Sequence, residues 1–426
     1  MKHLLLSTIA AVLLVGLVST RLMADEALKY WPQWRGPTWN GVALQADPPV
    51  TWSETENLRW KTPVDGKGWG TPIIWGERIF LLTAIALDKK MAIPDVIPAG
   101  TPNINLHPQV VDSWKPQKFA IVCIDRITGK LLWSQTVHEA MPHQGHHRKA
   151  GFASASPVTD GQHIFAYFGS FGLICFDMEG EKLWELKMPL AKSFGGNAAS
   201  PAIFGNKVIL YRGNYVDHFV LALDKVTGKE LWRVQQEEPF TSEMACTACP
   251  VLSGNRLIIH SARSVQALDI SNGRQIWVTK CATTATSTPV LAGNEIIVAA
   301  WNKMGEPALR PPIPSFKQLI TEHDNDGDKT ISRDELPTLW IFHRPQGAEA
   351  PMNGGTIRFV SADKNKDNEI TDNEWSEQVR GVERFRSRYK THGLLAIQID
   401  SEGIIEDHEI RILEKRGIPE VPSPLT

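Results

Sequence analysis

Neither sign of charge dominates this sequence: 45 basic residues stand against 47 acidic ones over 426 positions, a net charge of −2. Without an excess positive field nothing holds a phosphate backbone, so nucleic acid is not an expected partner. Cysteine is scarce, five in all, which is too few for a disulfide framework and leaves at least one thiol unpaired within the chain. No long apolar run follows Asp25, which excludes a membrane span in the mature chain. G-x-S-x-G, H-E-x-x-H and P-loop signatures are also missing, and with them the common hydrolase, zinc-protease and nucleotide-binding sites. What is present is 42 % apolar, enough for a sizeable core, so a disordered or fibrous chain is excluded.

The first residues, MKHLLLSTIAAVLLVGLVSTRLMADE, place Lys2 and His3 before an apolar run from Leu4 to Val18, with Ala24 at a plausible cleavage point. This reads as a secretory signal over 1–24, an uncleaved anchor being the lesser alternative because the run is shorter than the roughly 20 residues of a span. The mature protein is therefore expected in the periplasm or outside the cell.

Four segments then repeat one pattern: FAIVCIDRITGKLLW, FGLICFDMEGEKLWE, VLALDKVTGKELWRV and VQALDISNGRQIWVT. In each, an alternating apolar strand ends at Asp125, Asp177, Asp224 or Asp269. A turn with Gly129, Gly180, Gly228 or Gly273 follows, and Trp133, Trp184, Trp232 or Trp277 lies in the next strand. A second marker, a small residue before proline, recurs at Thr71, Ser156, Ser200, Cys249, Thr288 and Ser423. Units of about 45 residues with several short strands signify a β-propeller, whose sheets must stack because one alone cannot cover both faces. The expected fold is all-β, with four-stranded blades and the indoles docked between them.

These repeats resemble the pyrroloquinoline-quinone-like (PQQ-like) propeller repeat, in which a small-x-Asp-xxx-Gly-xxx-Trp stretch locks adjacent blades; 222–232 matches it closely. The opening WPQWRGPTWNG and the later GKGWGTPIIWGERIFLL resemble exported propellers of planctomycete-type bacteria. The resemblance covers 30–303 and 393–426. It implies seven or eight blades, of which about five to six are present, so a truncated product with association-prone blade edges is expected. It also implies three possible roles: a PQQ-dependent oxidoreductase, an outer-membrane assembly scaffold, or a member without chemistry. An active quinoprotein would need an aromatic floor under the quinone, a Ca²⁺ held by Glu, Asn and Asp, a general-base Asp and commonly an adjacent Cys pair. No adjacent pair occurs here.

The rhythm breaks twice. Residues 88–118, with five prolines, read as a surface loop. Residues 304–392 hold two twelve-residue stretches, DNDGDKTISRDE and DKNKDNEITDNE, that fit the EF-hand loop. In the first, Asp324, Asp326 and Asp328 supply oxygens, Thr330 its carbonyl, and Glu335 a bidentate carboxylate, with Ser332 at the ninth position. Asp363, Asn365, Asp367, Glu369 and Glu374 repeat those roles in the second, with Thr371 at the ninth. Hard oxygen ligands in this number favour Ca²⁺. Ile331 and Ile370 should pair the loops, and Ser332-x-x-Glu335 and Thr371-x-x-Glu374 should each start an exiting helix. Position six, normally Gly, is Lys329 or Asn368, which predicts weaker binding in the first loop.

Cys246 and Cys249 form a C-x-x-C, but Cys249 occupies a slot held elsewhere by Ser or Thr, and Cys123 and Cys175 occupy one held by Ala222 and Ala267. They read as small buried residues, a 246–249 disulfide being the exception. His143, His146 and His147, beside Arg148 and Lys149, read as a solvated loop rather than a metal site. The expected organisation is signal 1–24, propeller 25–303, EF-hand pair 304–392 and a return to the propeller over 393–426. The expected function is a non-catalytic binding propeller carrying Ca²⁺, with a protein or polysaccharide partner.

Overall fold

In blades one to four an Asp-to-Gly turn folds the third strand back against the fourth, and the computed structural model shows five antiparallel blades. The structure describes residues 26–43, 45–91, 110–111, 115–191, 193, 195–238, 247–281, 283–301, 310–343, 354–387, 391–415, 417–419 and 421–425. The signal segment, Cys246 and most of the proline-rich stretch lie outside them.

Blade one comprises Ile73–Trp75, Arg78–Ala86, Gln117–Asp125 and Leu131–Ala140, and blade two Val158–Thr159, His163–Tyr167, Leu173–Asp177 and Lys182–Leu186. Blade three comprises Ala202–Phe204, Lys207–Arg212, Phe219–Asp224 and Glu230–Gln235, and blade four Val251–Ser253, Arg256–His260, Ser264–Asp269 and Gln275–Lys280. Blade five takes Val290–Ala292 and Glu295–Ala300, then Gly393–Gln398 and Arg411–Glu414. The fold is all-β, a propeller of four-stranded blades with few helices. Among the described residues no helix is long and apolar enough to cross a membrane.

The two sequence markers prove to be the two devices that hold the blades together. Toward the rim, Trp60, Trp133, Trp184, Trp232 and Trp277 donate their indole N–H to the carbonyls of Arg126, Met178, Lys225, Ile270 and Ile399 in the following blade, at 2.9–3.3 Å. Four of the rings also lie on the turn glycine of that blade. A Cβ at Gly228, whose φ is +70°, would meet Trp184 Cδ2 at 2.7 Å, so the close approach and the left-handed turn both require glycine there.

Further in, the residues before proline form a chain of backbone-to-side-chain hydrogen bonds from blade to blade. Thr71 N donates to Ser156 Oγ (2.8 Å), Ser156 N to Ser200 Oγ (2.9 Å) and Ser200 N to Cys249 Sγ (3.4 Å). Cys249 N donates to Thr288 Oγ1 (3.1 Å), and Thr288 N to Ser423 Oγ (2.8 Å). A small side chain with one acceptor atom is what this position requires, and the following proline needs no backbone acceptor. Cys249→Ser is therefore expected to change stability by less than about 1 kcal/mol, whereas Cys249→Val, which orphans the buried Ser200 N–H, should cost about 1–3 kcal/mol. Urea unfolding midpoints of the two variants measure the difference.

Because consecutive strands are antiparallel, the ends of the blades are not equivalent. First-to-second and third-to-fourth connections emerge at one end, as tight turns except in blade five, where 399–410 carries the strand Gly403–Ile404 and a short 3-10 helix. The second-to-third and blade-to-blade connections emerge at the other. Residues 87–116 interrupt blade one between its second and third strands, and 301–392 interrupt blade five at the same place, where Ala300 pairs with Gly393.

Candidate functional site

The paired acidic loops lie within the segment inserted in blade five. The helix Phe316–His323 leads into the first, its start fixed by Ser315, whose Oγ accepts from Gln318 N in a capping box. The short helix Phe359–Ala362 leads into the second, and Asp372–Ser387 leads out of it. Leu319, Ile331, Ile357, Phe359, Ala362, Ile370 and Trp375 bury a common core, and Trp375 Nε1 donates to Pro314 O at 2.9 Å.

Ile331–Ser332 and Glu369–Ile370 form an antiparallel bridge with Ile331 opposite Ile370, so the two loops lie back to back. Thr330 Oγ1 donates across it to Glu369 Oε2 at 2.7 Å. In the first loop one carboxylate oxygen each from Asp324, Asp326 and Asp328 lies within 4.8 Å of the others. Backbone amides hold these groups: Gly327 N and Lys329 N donate to Asp324, and Asn325 N and Ser332 N to Glu335. In the second loop Lys366 N and Asn368 N donate to Asp363, Asp367 N to Asn365 Oδ1, and Lys364 N, Asn365 N and Thr371 N to Glu374. The amides of Asn325 and Ser332 hold the Glu335 carboxyl below its usual range. Burial works to raise that of Glu374, but the Thr371 amide and hydroxyl outweigh it and the net shift is downward.

Lys329 and Asn368, at position six, have φ of 71° and 74°, the left-handed turn for which glycine is the usual residue. One expectation is corrected. The second loop opens a helix at Asp372, but after Glu335 only a turn forms and the chain passes to the strand Trp340–His343. Pro337 accounts for this, because its ring disfavours helical geometry at Leu336 and it has no N–H to donate.

The tryptophan-rich opening segment lies against the blades at the end that carries the tight turns. Trp31 exchanges backbone hydrogen bonds with Ile74 of blade one, Pro32 O accepts from Thr159 N of blade two, and Trp39 packs on Phe204 of blade three at 4.9 Å. Trp34 Nε1 donates to Thr288 Oγ1 (3.3 Å), and Arg35, 7 % exposed, donates to the carbonyls of Asn40 and Pro424. These roles are long-range, and only the unusual density of indoles marked them in the sequence. Further in, the side chains that link the blades are hydroxyls and one thiol, which accept from backbone N–H groups.

Cys123, Cys175, Cys249 and Cys281 are buried and unbridged. Burial pushes all four thiols up, Cys123 to about 12, so they are inert neighbours of the core rather than nucleophiles. The histidine cluster departs from the solvated-loop expectation. All three are half-buried, His143 stacks on Phe171 at 4.1 Å, and His146 meets Phe152 edge-on at 4.6 Å. With Gln144, Ser170 and Asn197, His143 and His146 border a solvent-open cleft between blade connections. Sequence reasoning also passed over His218 and His260, which burial pushes down to about 4.

A family profile described as outer membrane protein assembly factor BamB matches residues 117–310 and 217–364. Among solved structures, BamB from Moraxella catarrhalis aligns at 15 % identity over 45 % of this chain and 54 % of its own, with a TM-score of 0.31. A europium-containing methanol dehydrogenase aligns at 11 % identity over 58 % and 49 %, TM-score 0.39. A quinohemoprotein alcohol dehydrogenase from Pseudomonas putida HK5 aligns at 15 % identity over 66 % and 46 %, TM-score 0.41. The matched part spans about half the length of each of these structures. No curated protein matches the sequence.

Proposed function

Because the chain belongs to the PQQ-like repeat family described as outer membrane protein assembly factor BamB, we propose that it is an exported binding propeller. In this reading it has no catalysis of its own, presents one face to a protein or polysaccharide partner, and carries a Ca²⁺-binding EF-hand pair over 304–392 within propeller segments 25–303 and 393–426. The observation that carries the reading is the placement of the two long insertions: 87–116 in blade one and 301–392 in blade five, the second holding both acidic loops, leave the blades at the same end. Loops on a rigid scaffold are where binding residues concentrate. The periplasm or the cell exterior is the compartment that goes with it. If the partner is a membrane protein, the role is that of an envelope-assembly scaffold; a pull-down from native envelope tests for it, and a quinone-dependent activity on alcohols or sugars would overturn the non-catalytic reading.

For the metal, the proposed ligands are Asp324, Asp326, Asp328, Thr330 and Glu335 in one loop and Asp363, Asn365, Asp367, Glu369 and Glu374 in the other. The back-to-back bridge, the amide-held carboxylates and the left-handed position six support them together. Calorimetric titration with Ca²⁺ should give two binding events, the weaker assigned to the first loop because Lys329 bears the cost of its left-handed backbone. Glu335→Gln with Glu374→Gln should weaken both by about tenfold or more, since each removes a ligand charge. Heat unchanged by the double substitution would overturn the assignment.

A further inference from the structure

We propose that the cleft beside Trp69 binds the ring of an acidic saccharide, a sugar that carries a carboxylate or sulfate. The proposal rests on the reading of the connection-rich end as the binding face and names its ligand class.

The walls of the cleft come from connections 142–152, 168–172 and 195–197 together with Phe119 and Tyr167. Three polar groups in it have fixed roles. His146 Nδ1 lies 2.8 Å from the His147 carbonyl, which can only accept, so in the neutral ring the proton sits there and Nε2 presents a lone pair. Gln144 Oε1 accepts from Ser193 N at 2.9 Å, which leaves its NH₂ to donate. Ser170 Oγ accepts from Ala191 N at 2.8 Å, which leaves its hydroxyl proton to donate. One acceptor and two donors beside aromatic rings suit a hydroxyl-rich ring, whose hydroxyls both give and take hydrogen bonds.

Trp69 supplies the stacking face. Its backbone is fixed, with N donating to Ala153 O at 2.9 Å, yet the residue is 56 % exposed. The indole lies against Gly151, which lines the cleft, and a Cβ there would meet Trp69 Cδ1 at 2.7 Å. An exposed indole whose Cδ1–Nε1 edge lies against Gly151, next to these polar groups, offers a surface for the C–H face of a sugar.

Charge selects among sugars. The connections 142–152, 168–172 and 187–201 contain no Asp or Glu, but they contain Arg148, Lys149, Lys187 and Lys192. Arg148 and Lys149 are exposed in the turn that runs into Gly151. Two exposed cations in a stretch that holds no carboxylate favour an anionic ligand beside Gly151.

The test uses the full mature chain and four probes in calorimetry: tetragalacturonate, a chondroitin sulfate tetrasaccharide, cellotetraose and a single-stranded oligonucleotide of matched charge. At least one acidic saccharide should bind about tenfold tighter than cellotetraose and the oligonucleotide, and Trp69→Ala should weaken it by about tenfold, the worth of one stacked ring. Arg148→Gln with Lys149→Gln should weaken it similarly and flatten its salt dependence. The melting temperature should stay unchanged in both variants, because all three side chains are exposed. No binding by either acidic saccharide, equal binding of cellotetraose, tighter binding of the oligonucleotide, or indifference to Trp69→Ala would overturn the proposal. Should acidic saccharides fail while an envelope protein is captured through the connection-rich end, the saccharide fails and the binding-face reading stands; failure of both removes the reading as well.

Discussion

Trp277→Ala is expected to cost about 3–5 kcal/mol, the largest loss of any single blade-locking indole. Trp277 is the one of the five that is 0 % exposed. Its neighbours in the core between blades four and five include Ile296, Val298, Ile397, Ile399, Ile405 and Ile410, and its N–H reaches Ile399 O at 3.0 Å. The turn of blade five also sends Gly403–Ile404 alongside it as a parallel fifth strand, with Trp277 opposite Gly403. Truncation therefore leaves a closed cavity and an orphaned carbonyl, where Trp133 or Trp184, half-buried, would leave a groove that water can enter. Urea unfolding midpoints of the three alanine variants measure this order. Equal losses in all three would mean that the contact with the turn glycine, not enclosure, sets the strength of the lock.

The same comparison shows why the fold was legible and much of the site was not. A blade is a local object: its Asp, Gly and Trp fall within one short stretch, and each repeat restates the pattern, so Trp133, Trp184, Trp232 and Trp277 announce the architecture. The residues before proline were visible for the same reason, although their hydrogen bonds to the next blade were not, because Ser156 and Ser200 meet only after the blades stack. The acidic loops were read as ligand spacings within twelve residues. The absent first exiting helix could have been read too, since Pro337 stands two residues after Glu335. The cleft was hidden for a different reason. Trp69, Gln144, Ser170 and Asn197 come from four separate connections, and no local spacing links them. The histidine spacing, which fits no zinc site, points to a solvated loop, but His143 stacks on Phe171 and His146 meets Phe152, contacts that no local spacing reveals.

A second large effect is expected in acid. His260 ends the second strand of blade four, fully enclosed, with Nδ1 2.7 Å from the Ser287 carbonyl and Nε2 paired with the Thr283 hydroxyl. The carbonyl can only accept, so Nδ1 carries the proton of a neutral ring, and Nε2 accepts from Thr283. Burial opposes a second proton and brings the pKa from 6.5 to about 4, with the Ser287 carbonyl acting weakly in the opposite direction. Above pH 6.5 neither the folded nor the unfolded state holds that proton, and the ring contributes no pH dependence. As the pH falls below 6.5 the unfolded state takes it up while the folded state does not, so stability declines until about pH 4, where both are protonated. A shift of this size is worth on the order of 3 kcal/mol. Urea midpoints between pH 7 and 4 should fall along that curve with a like contribution from His218, which burial also brings to about 4, and His260→Gln, which keeps an acceptor and a donor without a titrating proton, should remove roughly half of the decline whatever its own stability at pH 7. An imidazole resonance of His260 that titrates near pH 6.5 in the folded protein would sink the argument, because it would mean that the enclosed ring accepts its second proton at no cost.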